Sequence, residues 1–268
     1  MRSTISIVTP VRNAASTLSR CLDAVRSQRA MLLEHIVVDG QSSDGSRDIL
    51  RPHEDGFLKV IDAPPRGIAD AFNVGVAATR GDLVGIVAAD DWYEPGAMEA
   101  IARSVDDDAT ILHGRVRLHD PPPIPPRVSP DRAYDEEREF RPLERMPAQH
   151  PSCFVPRAVY NRVGLFSTGF RLAMDYEFLL RCHLAGVRFH FLDEVIVNHA
   201  SGGASSLDPG GARREVLAAQ ILHTRRVARP VYFYMRDRWR SLERGLRRRF
   251  LRRRQPPATV RQSERPKG

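Results

Sequence analysis

Small, polar and acidic residues follow each of the first four apolar runs of this 268-residue chain. They occupy residues 9–13, 39–44, 64–67 and 89–92. In an open α/β sheet the carboxyl ends of the strands meet at one edge, and ligands bind beyond that edge. One such segment is typical of an ordinary turn or helix cap, but four at equivalent positions predict a binding site.

The pair Asp90-Asp91 carries the clearest chemistry in these segments. Adjacent carboxylates at a strand end repel each other unless a cation lies beside them. Their oxygens favour hard cations such as Mg²⁺ or Mn²⁺, and such an ion can bridge a diphosphate and stabilise it as a leaving group. The alternative is that Asp91 or Glu94 only caps the helix that we expect to begin near Pro95.

The elements that would position these residues alternate between strand and helix over residues 1–118. Predicted strands cover residues 5–8, 34–39, 57–61, 82–88 and 109–118, with helical spacing between them. This order predicts right-handed βαβ units and therefore an α/β fold with a mostly parallel central sheet flanked by helices. The first turn reads TPVRNAAS rather than GxGxxG, which disfavours a dinucleotide-binding enzyme.

The remainder of the chain is less regular. Residues 119–149 contain five prolines within six residues and then a charged stretch, which predicts a surface loop. Regular structure resumes in residues 150–211, with predicted helices at 156–163 and 175–185 and a strand at 187–192. We expect residues 1–211 to form one domain, residues 212–254 to be helical with an interruption near Pro230, and residues 255–268 to be disordered.

The net charge of +8 is unevenly distributed. Residues 225–268 carry a net +13, so residues 1–224 carry −5. Trp239, Leu242, Leu246 and Phe250 recur at helical spacing among the arginines, which predicts a basic amphipathic helix within residues 225–254. Such a helix favours an anionic membrane surface. Binding to nucleic acid, and packing on the domain with the arginines in solvent, are the alternatives.

Cysteine usage and hydropathy predict a cytoplasmic protein. Cys21, Cys153 and Cys182 show no CxxC spacing, which indicates reduced, buried thiols rather than a disulfide framework. No run approaches the roughly 20 apolar residues that span a bilayer, and the N-terminus lacks a signal-peptide pattern. With its basic segment, the protein is expected at most to lie peripherally on the inner face of the plasma membrane.

Six motifs together resemble one enzyme family. In chain order they are TPVRN (9–13), IVVDGQSSDGS (36–46), GIADAFNVGVAATRGD (67–82), VAADDWYEPGAM (87–98), HPSCFVPRAVYNRVGLF (150–166) and MDYEFLLR (174–181). The set resembles the inverting glycosyltransferases of family 2, which have the GT-A fold, and is most similar to their bacterial polysaccharide and glycolipid branch. The resemblance implies transfer of a sugar from a nucleotide-sugar donor, UDP-type by default, to a glycan or lipid-linked acceptor.

The resemblance also implies roles for the residues that match the family motifs. The nucleotide-sugar pocket would be lined by Pro10, Asn13, Asp39, Gly67, Asp70, Asn73 and Asp90. A divalent cation, Mg²⁺ or Mn²⁺, would be bound by Asp90 and Asp91, with His199 as a third ligand or as a contact to the diphosphate. Trp92 and His150 would border the acceptor. Asp175 would be the general base, unless it is only the N-cap of its helix.

Two positions depart from the family pattern. Ala88 stands where the first acid of a full DxD motif would fall, and Arg12 replaces the aromatic residue of the usual TPxYN. The missing acid at Ala88 leaves a decayed site as one alternative, and a related sheet with a carboxylate-bound metal also serves a second enzyme class. With a decayed site the chain would be a non-catalytic, basic-tailed binding module. The second enzyme class is nucleotidyl transfer, although that class usually has a Gly-rich basic signature after the first strand.

Overall fold

A nine-stranded sheet lies at the centre of the protein in a computed structural model that describes residues 3–144 and 146–239. The strands are β1 (Ile5–Val11), β2 (Glu34–Asp39), β3 (Leu58–Asp62), β4 (Leu83–Ile86), β5 (Trp92–Tyr93), β6 (Thr110–His119), β7 (Arg127–Ser129), β8 (Phe154–Pro156) and β9 (Arg188–Ala200). Their order across the sheet is β3-β2-β1-β4-β8-β6-β9-β5, and β7 pairs with β6.

Ten helices accompany these strands in the described part of the chain. They are α1 (Leu18–Arg26), α2 (Ser46–Leu50), α3 (Ile68–Ala78), α4 (Ala97–Arg103), α5 (Glu136–Glu139), α6 (Arg157–Val163), α7 (Met174–Leu184), α8 (Ala204–Leu207), α9 (Pro209–Thr224) and α10 (228–239). Short 3₁₀ turns lie at Arg29–Met31, Arg51–His53 and His150–Ser152. None of the described helices combines the length and apolar character needed to cross a bilayer.

The predicted parallel half of the sheet is confirmed. β1 pairs in parallel with both β2 and β4, and β2 pairs in parallel with β3. All six residues of β2 are buried, as expected for a strand covered on both faces by helices. These parallel pairings bring the carboxyl ends of β1 to β4 to one edge, as the residue pattern predicts.

The second half of the sheet adds short antiparallel strands that the sequence pattern does not predict. β8 pairs antiparallel with β4 and β6, and β5 pairs antiparallel with β9. These strands of two or three residues are too short to show a period. β9 extends to Ala200, well beyond the predicted end at residue 192, and its parallel pairing with β6 shifts register around Arg115. That shift accommodates the charged pair Asp193-Glu194, which interrupts the apolar pattern.

Separate apolar clusters cover the two faces of the sheet. α1 and α4 pack on one face with buried residues that include Leu22 and Met98. α3, α6 and α7 pack on the other face with Phe72, Tyr160 and Phe178. All three cysteines are free and buried, and burial raises the pKa of the Cys21 thiol to about 12. They therefore pack as small apolar side chains, as predicted.

The chain divides into two compact units between Arg225 and Arg226, so α9 belongs to the unit that carries the sheet. The predicted interruption of the C-terminal helical region occurs at residues 225–227, where Arg225 adopts a left-handed φ of 53°. Pro230 instead lies in the first turn of α10, where its missing N–H has no helical partner to lose. Leu242, Leu246, Phe250 and the predicted disordered tail lie outside the described residues.

Candidate active site

A cavity of about 440 Å³ lies at the carboxyl ends of β1 and β4. Four segments line it, namely residues 10–17, Gly40, residues 63–72 and residues 88–90. Its volume is within the range of small-molecule sites. Four of the residues predicted for the nucleotide-sugar pocket line this cavity, and they are Pro10, Asn13, Gly67 and Asp90.

Hydrogen bonds join the loops that follow β1 and β2. The Asn13 side-chain oxygen accepts from the Ser43 N–H at 2.9 Å, and the Asn13 N–H donates to the Ser42 hydroxyl at 2.9 Å. Asn13 has a left-handed φ of 52°, a conformation that Asn tolerates better than most residues. The sequence therefore places an Asn where one rim of the cavity needs both a strained backbone and a side-chain acceptor.

Asp39 lies beneath this rim rather than on it. Its side chain is fully buried, accepts from the Ser42 hydroxyl at 2.5 Å, and is 3.1 Å from the guanidinium of Arg47. Because Ser42 in turn binds Asn13, the Asp39 carboxylate organises the loop that borders the cavity.

Asp70 and Asn73 lie in α3 but have different surroundings. The amide of Asn73 both donates to the carbonyl and accepts from the N–H of Phe166, each at 2.9 Å. That side chain therefore ties α3 to the loop after α6. Asp70 is half-buried in the first helical turn and receives no hydrogen bond or ion pair from another described residue. Of the two side chains, Asp70 is the one left free to meet a ligand.

The buried Asp91 pairs with the partly exposed His199 next to Asp90. One Asp91 oxygen is 2.9 Å from His199 Nδ1, and the other accepts from the Ala200 N–H at 2.9 Å. The hydrogen bond to Asp91 raises the pKa of His199 against the effect of burial. Burial and the neighbouring charge of Asp91 raise the pKa of Asp90. The sequence predicts this carboxylate pair, and the structure adds that β9 brings His199 to it.

The indole of Trp92 is covered by a cation. The guanidinium carbon of Arg20 lies 3.6 Å from the Trp92 ring centroid, and Arg20 also donates to the carbonyl of Asp90 at 3.0 Å. The centroid of the His119 ring lies 4.8 Å from that of Trp92. Sequence reasoning missed Arg20, because an exposed arginine on α1 carries no pattern that links it to a site 70 residues away.

Asp175 and His150 come together from α7 and the 3₁₀ turn before β8. Asp175 is half-buried in the first turn of α7, and its carboxylate accepts from the Tyr176 N–H at 2.7 Å. Burial lowers the pKa of His150, while the nearby charge of Asp175 opposes that shift. The same charge contributes to the raised pKa of His199. The Asp175 carboxylate therefore lies within electrostatic reach of both histidines.

His150 in turn borders the cavity through an aromatic contact. Its ring stacks on Phe72 with centroids 5.4 Å apart and planes 13° apart, and Phe72 lines the cavity. Sequence reasoning did not single out Phe72, although it lies between Asp70 and Asn73 in a quoted motif. An apolar residue at helical spacing predicts a position in the hydrophobic core, and Phe72 is indeed mostly buried.

The oxygen and nitrogen atoms around Asp90 suit a metal ion whose remaining coordination positions are filled by a bound ligand. Among the described residues, no three His, Cys, Asp or Glu side chains are close enough to enclose a metal ion. His199 uses Nδ1 for its hydrogen bond with Asp91, so Nε2 is the ring nitrogen that remains to coordinate a metal ion. The side chain is 33% exposed. A carboxylate that orients a histidine through its other ring nitrogen is the usual support for a metal-binding histidine. Asp90 and His199 could therefore hold one face of a divalent ion while ligand oxygens complete its coordination.

Comparison with known structures defines the class of protein. S. aureus TarS in complex with UDP-GlcNAc shares 16% identity and a TM-score of 0.62, over 86% of this chain and 70% of that one. The mannosyltransferase PcManGT from Pyrobaculum calidifontis, in complex with GDP-Man and Mn²⁺, shares 20% identity and a TM-score of 0.62, over 84% and 65%. The fold is the GT-A fold of nucleotide-sugar-dependent glycosyltransferases.

Sequence comparison then gives the family. The model of glycosyl transferase family 2 matches residues 6–165, and this chain belongs to that family. Chondroitin synthase from Pasteurella multocida is 24% identical over 230 residues, which cover 84% of this chain. The matched region is about a quarter of the length of that relative.

Proposed function

We propose that this chain is an inverting glycosyltransferase that moves a sugar from a nucleotide-diphosphate donor, UDP-type by default, to a glycan or lipid-linked acceptor. The observation that carries the proposal is that Asp90 lines a ligand-sized cavity and is followed by Asp91, which is hydrogen-bonded to His199. The charge of Asp175 also contributes to the raised pKa of His199. Family membership supports it, as do the fold neighbours that were solved with UDP-GlcNAc and GDP-Man.

The residues divide the reaction between two sides of the site. Pro10, Asn13 and Gly67 line the space for the nucleotide and its diphosphate, and Asp70 lies in the adjoining first turn of α3. Trp92 and His150 would border the acceptor side. Asp175 accepts the proton of the acceptor hydroxyl as that oxygen attacks the anomeric carbon from the face opposite the diphosphate.

A divalent cation, Mg²⁺ or Mn²⁺, is part of the proposal. Enzymes of this family typically use one, and a fold neighbour was solved with Mn²⁺. Asp90 and His199 are the residues that would hold the ion, with Asp91 orienting His199. When bound, it would offset the negative charge that develops on the leaving diphosphate.

We also propose that the enzyme works at the cytoplasmic face of an anionic membrane, through residues 225–254. Within the described part of that segment, α10 exposes Tyr232, Met235 and Trp239 at helical spacing, with exposed fractions of 63%, 58% and 72%. Arginines flank them in the sequence. Exposed aromatic and apolar side chains next to basic ones suit the interface of an anionic bilayer.

A panel of nucleotide sugars, scored by released nucleotide, tests the proposed reaction. The purified protein is assayed with each donor and a mixture of glycan and lipid-linked acceptors, with Mn²⁺ or with EDTA. We expect acceptor-dependent release of nucleoside diphosphate from one donor, and loss of that release in EDTA. Pyrophosphate release from a nucleoside triphosphate would instead identify a nucleotidyltransferase, and no release from any donor would identify a decayed binding module.

A further inference from the structure

A carboxylate from a distant helix caps the segment that leads into α7. Glu215 of α9 accepts the N–H groups of three successive residues, which are Arg171 at 3.0 Å, Leu172 at 2.7 Å and Ala173 at 2.9 Å. Bonds from backbone N–H groups to an ionised carboxylate are short and stronger than bonds between neutral groups. One side chain thus fixes the conformation of three consecutive peptide units.

The start of α7 offers no such group of its own. Its N-cap residue is Ala173, which has no side-chain oxygen, and no side-chain hydrogen bond caps the helix from that position. In an ordinary capping box, an acid in the first turn reaches back to the N–H of the N-cap residue. Glu215 supplies that bond to Ala173 from another helix, two residues before Asp175.

Two further side chains of α9 contact the residues that follow Asp175. The amide nitrogen of Gln220 donates to the Tyr176 hydroxyl at 2.6 Å, and His223 Nε2 lies 2.7 Å from a carboxylate oxygen of the buried Glu177. α9 therefore holds the chain on both sides of Asp175 by polar contacts, most of which are partly buried.

We propose that Glu215 is the positioning residue for Asp175 and that α9 is the brace that holds this base in place. The inference rests on the proposed function, because it takes Asp175 as the base. Glu215 does not touch the reacting groups and acts through the backbone of residues 171–173. A displacement of about 1 Å at a catalytic group can cost roughly 100-fold in rate, so a carboxylate that fixes the first turn of α7 controls turnover without contacting the donor.

The variant Glu215→Gln tests this role. The amide keeps the shape of the side chain but loses its charge and one acceptor oxygen. We expect kcat for transfer to fall roughly 10- to 100-fold, while the Kd for the donor, measured by calorimetry in the presence of Mn²⁺, stays within about twofold. Arg214→Gln is the matched control on the same helix, since Arg214 is exposed and lies 4.0 Å from its partner Asp208. This control should keep the wild-type rate.

The double variant Asp175→Asn/Glu215→Gln separates positioning from general stability. If Glu215 acts through Asp175, the double variant is no slower than Asp175→Asn alone, because the base that it positions is already gone. Multiplied rate losses, or a donor affinity that falls with the rate, would overturn the proposal.

Thermal unfolding and a shorter acid complete the test. Glu215→Asp retains the charge and should lose less activity than Glu215→Gln. If both variants unfold below the assay temperature, Glu215 belongs to the stability of the fold and the proposal fails. A wild-type enzyme that is inactive with every donor refutes the proposed function, whereas an active enzyme with an unimpaired Glu215→Gln variant refutes only the brace.

Discussion

Asp90 and Asp91 are neighbours in sequence but have different roles in the structure. Asp91 is only 1% exposed and uses both carboxylate oxygens inside the protein, whereas Asp90 lines the cavity. The sequence predicts the pair and its affinity for a cation. It does not predict the division, because His199 reaches Asp91 from 108 residues away along a strand whose predicted end lies at residue 192.

Asp39 and Asn73 show the same limit at the level of single residues. Both lie in motifs of the family resemblance, and both side chains form hydrogen bonds that fix a neighbouring loop. A motif records that a residue type is needed at a position. The side chain at that position either contacts a ligand or supports a backbone segment that contacts it. Which of the two occurs depends on partners such as Ser42 and Phe166, and no local sequence pattern reveals these partners.

Replacing Asp175 by Asn is the sharpest test at a single residue. We expect acceptor-dependent transfer to fall roughly 10²- to 10⁴-fold, since an amide cannot take the proton of the acceptor hydroxyl. Donor Kd should change little, and this is measured by calorimetry alongside the rate assay. The exposed Asp23→Asn variant on α1 is the control and should retain full activity. A large loss of donor affinity in Asp175→Asn would contradict the role as base.

Glu34 gives a prediction for stability against pH. This carboxylate is fully buried and accepts from the Ser6 hydroxyl at 2.8 Å and from Arg80 Nε at 3.0 Å. Burial alone would raise its pKa, but the hydrogen bonds from Arg80 and Ser6 outweigh burial and lower it. Because the pKa in the folded state lies below that of the unfolded chain, its stabilising effect is complete above the unfolded pKa of about 4.3.

We therefore expect Glu34→Gln to lower the free energy of unfolding by about 1–3 kcal/mol at pH 7. The difference from wild type should shrink as the pH falls through the pKa of Glu34 in the folded state, because wild-type Glu34 then becomes protonated too. Urea unfolding at several pH values measures both effects. Glu99→Gln, at an exposed pair on α4, should show no such difference. A gap between wild type and variant that widens in acid would refute this assignment.

At the scale of elements, the sequence predicts the strands whose pattern is long and the helices between them. β1, β2, β3 and β4 are recognisable because their runs of Val, Ile and Leu are bounded by turn residues. β5, β7 and β8 are not, since two or three residues show no period and these strands form only through their partners. The helical region is interrupted at residues 225–227, before Pro230, where the sequence predicts the interruption.

The contact between α3 and β1 depends on Gly75. A Cβ at this position would lie 2.2 Å from Val8 Cγ1 and 3.3 Å from Val38 Cγ2, so the helix packs directly on the strand. Gly75→Ala should lower the free energy of unfolding by about 1–3 kcal/mol through overpacking. In an uncrowded helix a Gly→Ala substitution raises the free energy of unfolding by about 0.5–1 kcal/mol. A decrease for Gly75→Ala would therefore indicate the close contact between α3 and β1.

Urea unfolding measures that effect, and two variants frame it. Gly203→Ala should be nearly neutral, because a Cβ there meets nothing within 4 Å. Adding Val8→Ala to Gly75→Ala should recover part of the lost stability by removing the clashing methyl groups. A Gly75→Ala variant that is more stable than wild type would show that α3 can move away from β1 at little cost.

At the scale of the whole molecule, the net charge describes neither part of the chain. Residues 1–224, which carry a net charge of −5, contain the carboxylate site. The strongly basic segment begins where the first compact unit ends. The boundary in charge predicted from sequence thus falls within one residue of the boundary in structure, while the predicted end of the domain at residue 211 leaves out most of α9.

The exposed side chains of α10 allow a direct test of the proposed membrane binding. Replacing Tyr232, Met235 and Trp239 together by serine should reduce co-sedimentation with anionic vesicles by at least tenfold, because apolar burial is lost while every arginine remains. Deletion of residues 225–268 should abolish it. Zwitterionic vesicles are the control and should bind the wild type weakly. Unchanged sedimentation of the triple variant, or stronger binding to RNA than to vesicles, would exclude the membrane as the partner of this helix.

The long loop between β6 and the 3₁₀ turn at His150 has an evolutionary consequence. It carries β7, which pairs with β6, and its far end touches α7 where the Tyr176 hydroxyl donates to the carbonyl of Pro142 at 2.9 Å. Phe140 and Ala148 anchor this loop in the apolar cluster that also contains Phe72, whereas residues 121–127 are exposed. Insertions and deletions confined to residues 121–127 would leave the parallel strands and the cavity at their ends untouched. Related chains could thus differ in the length of residues 121–127, while the cavity at the strand ends is inherited intact.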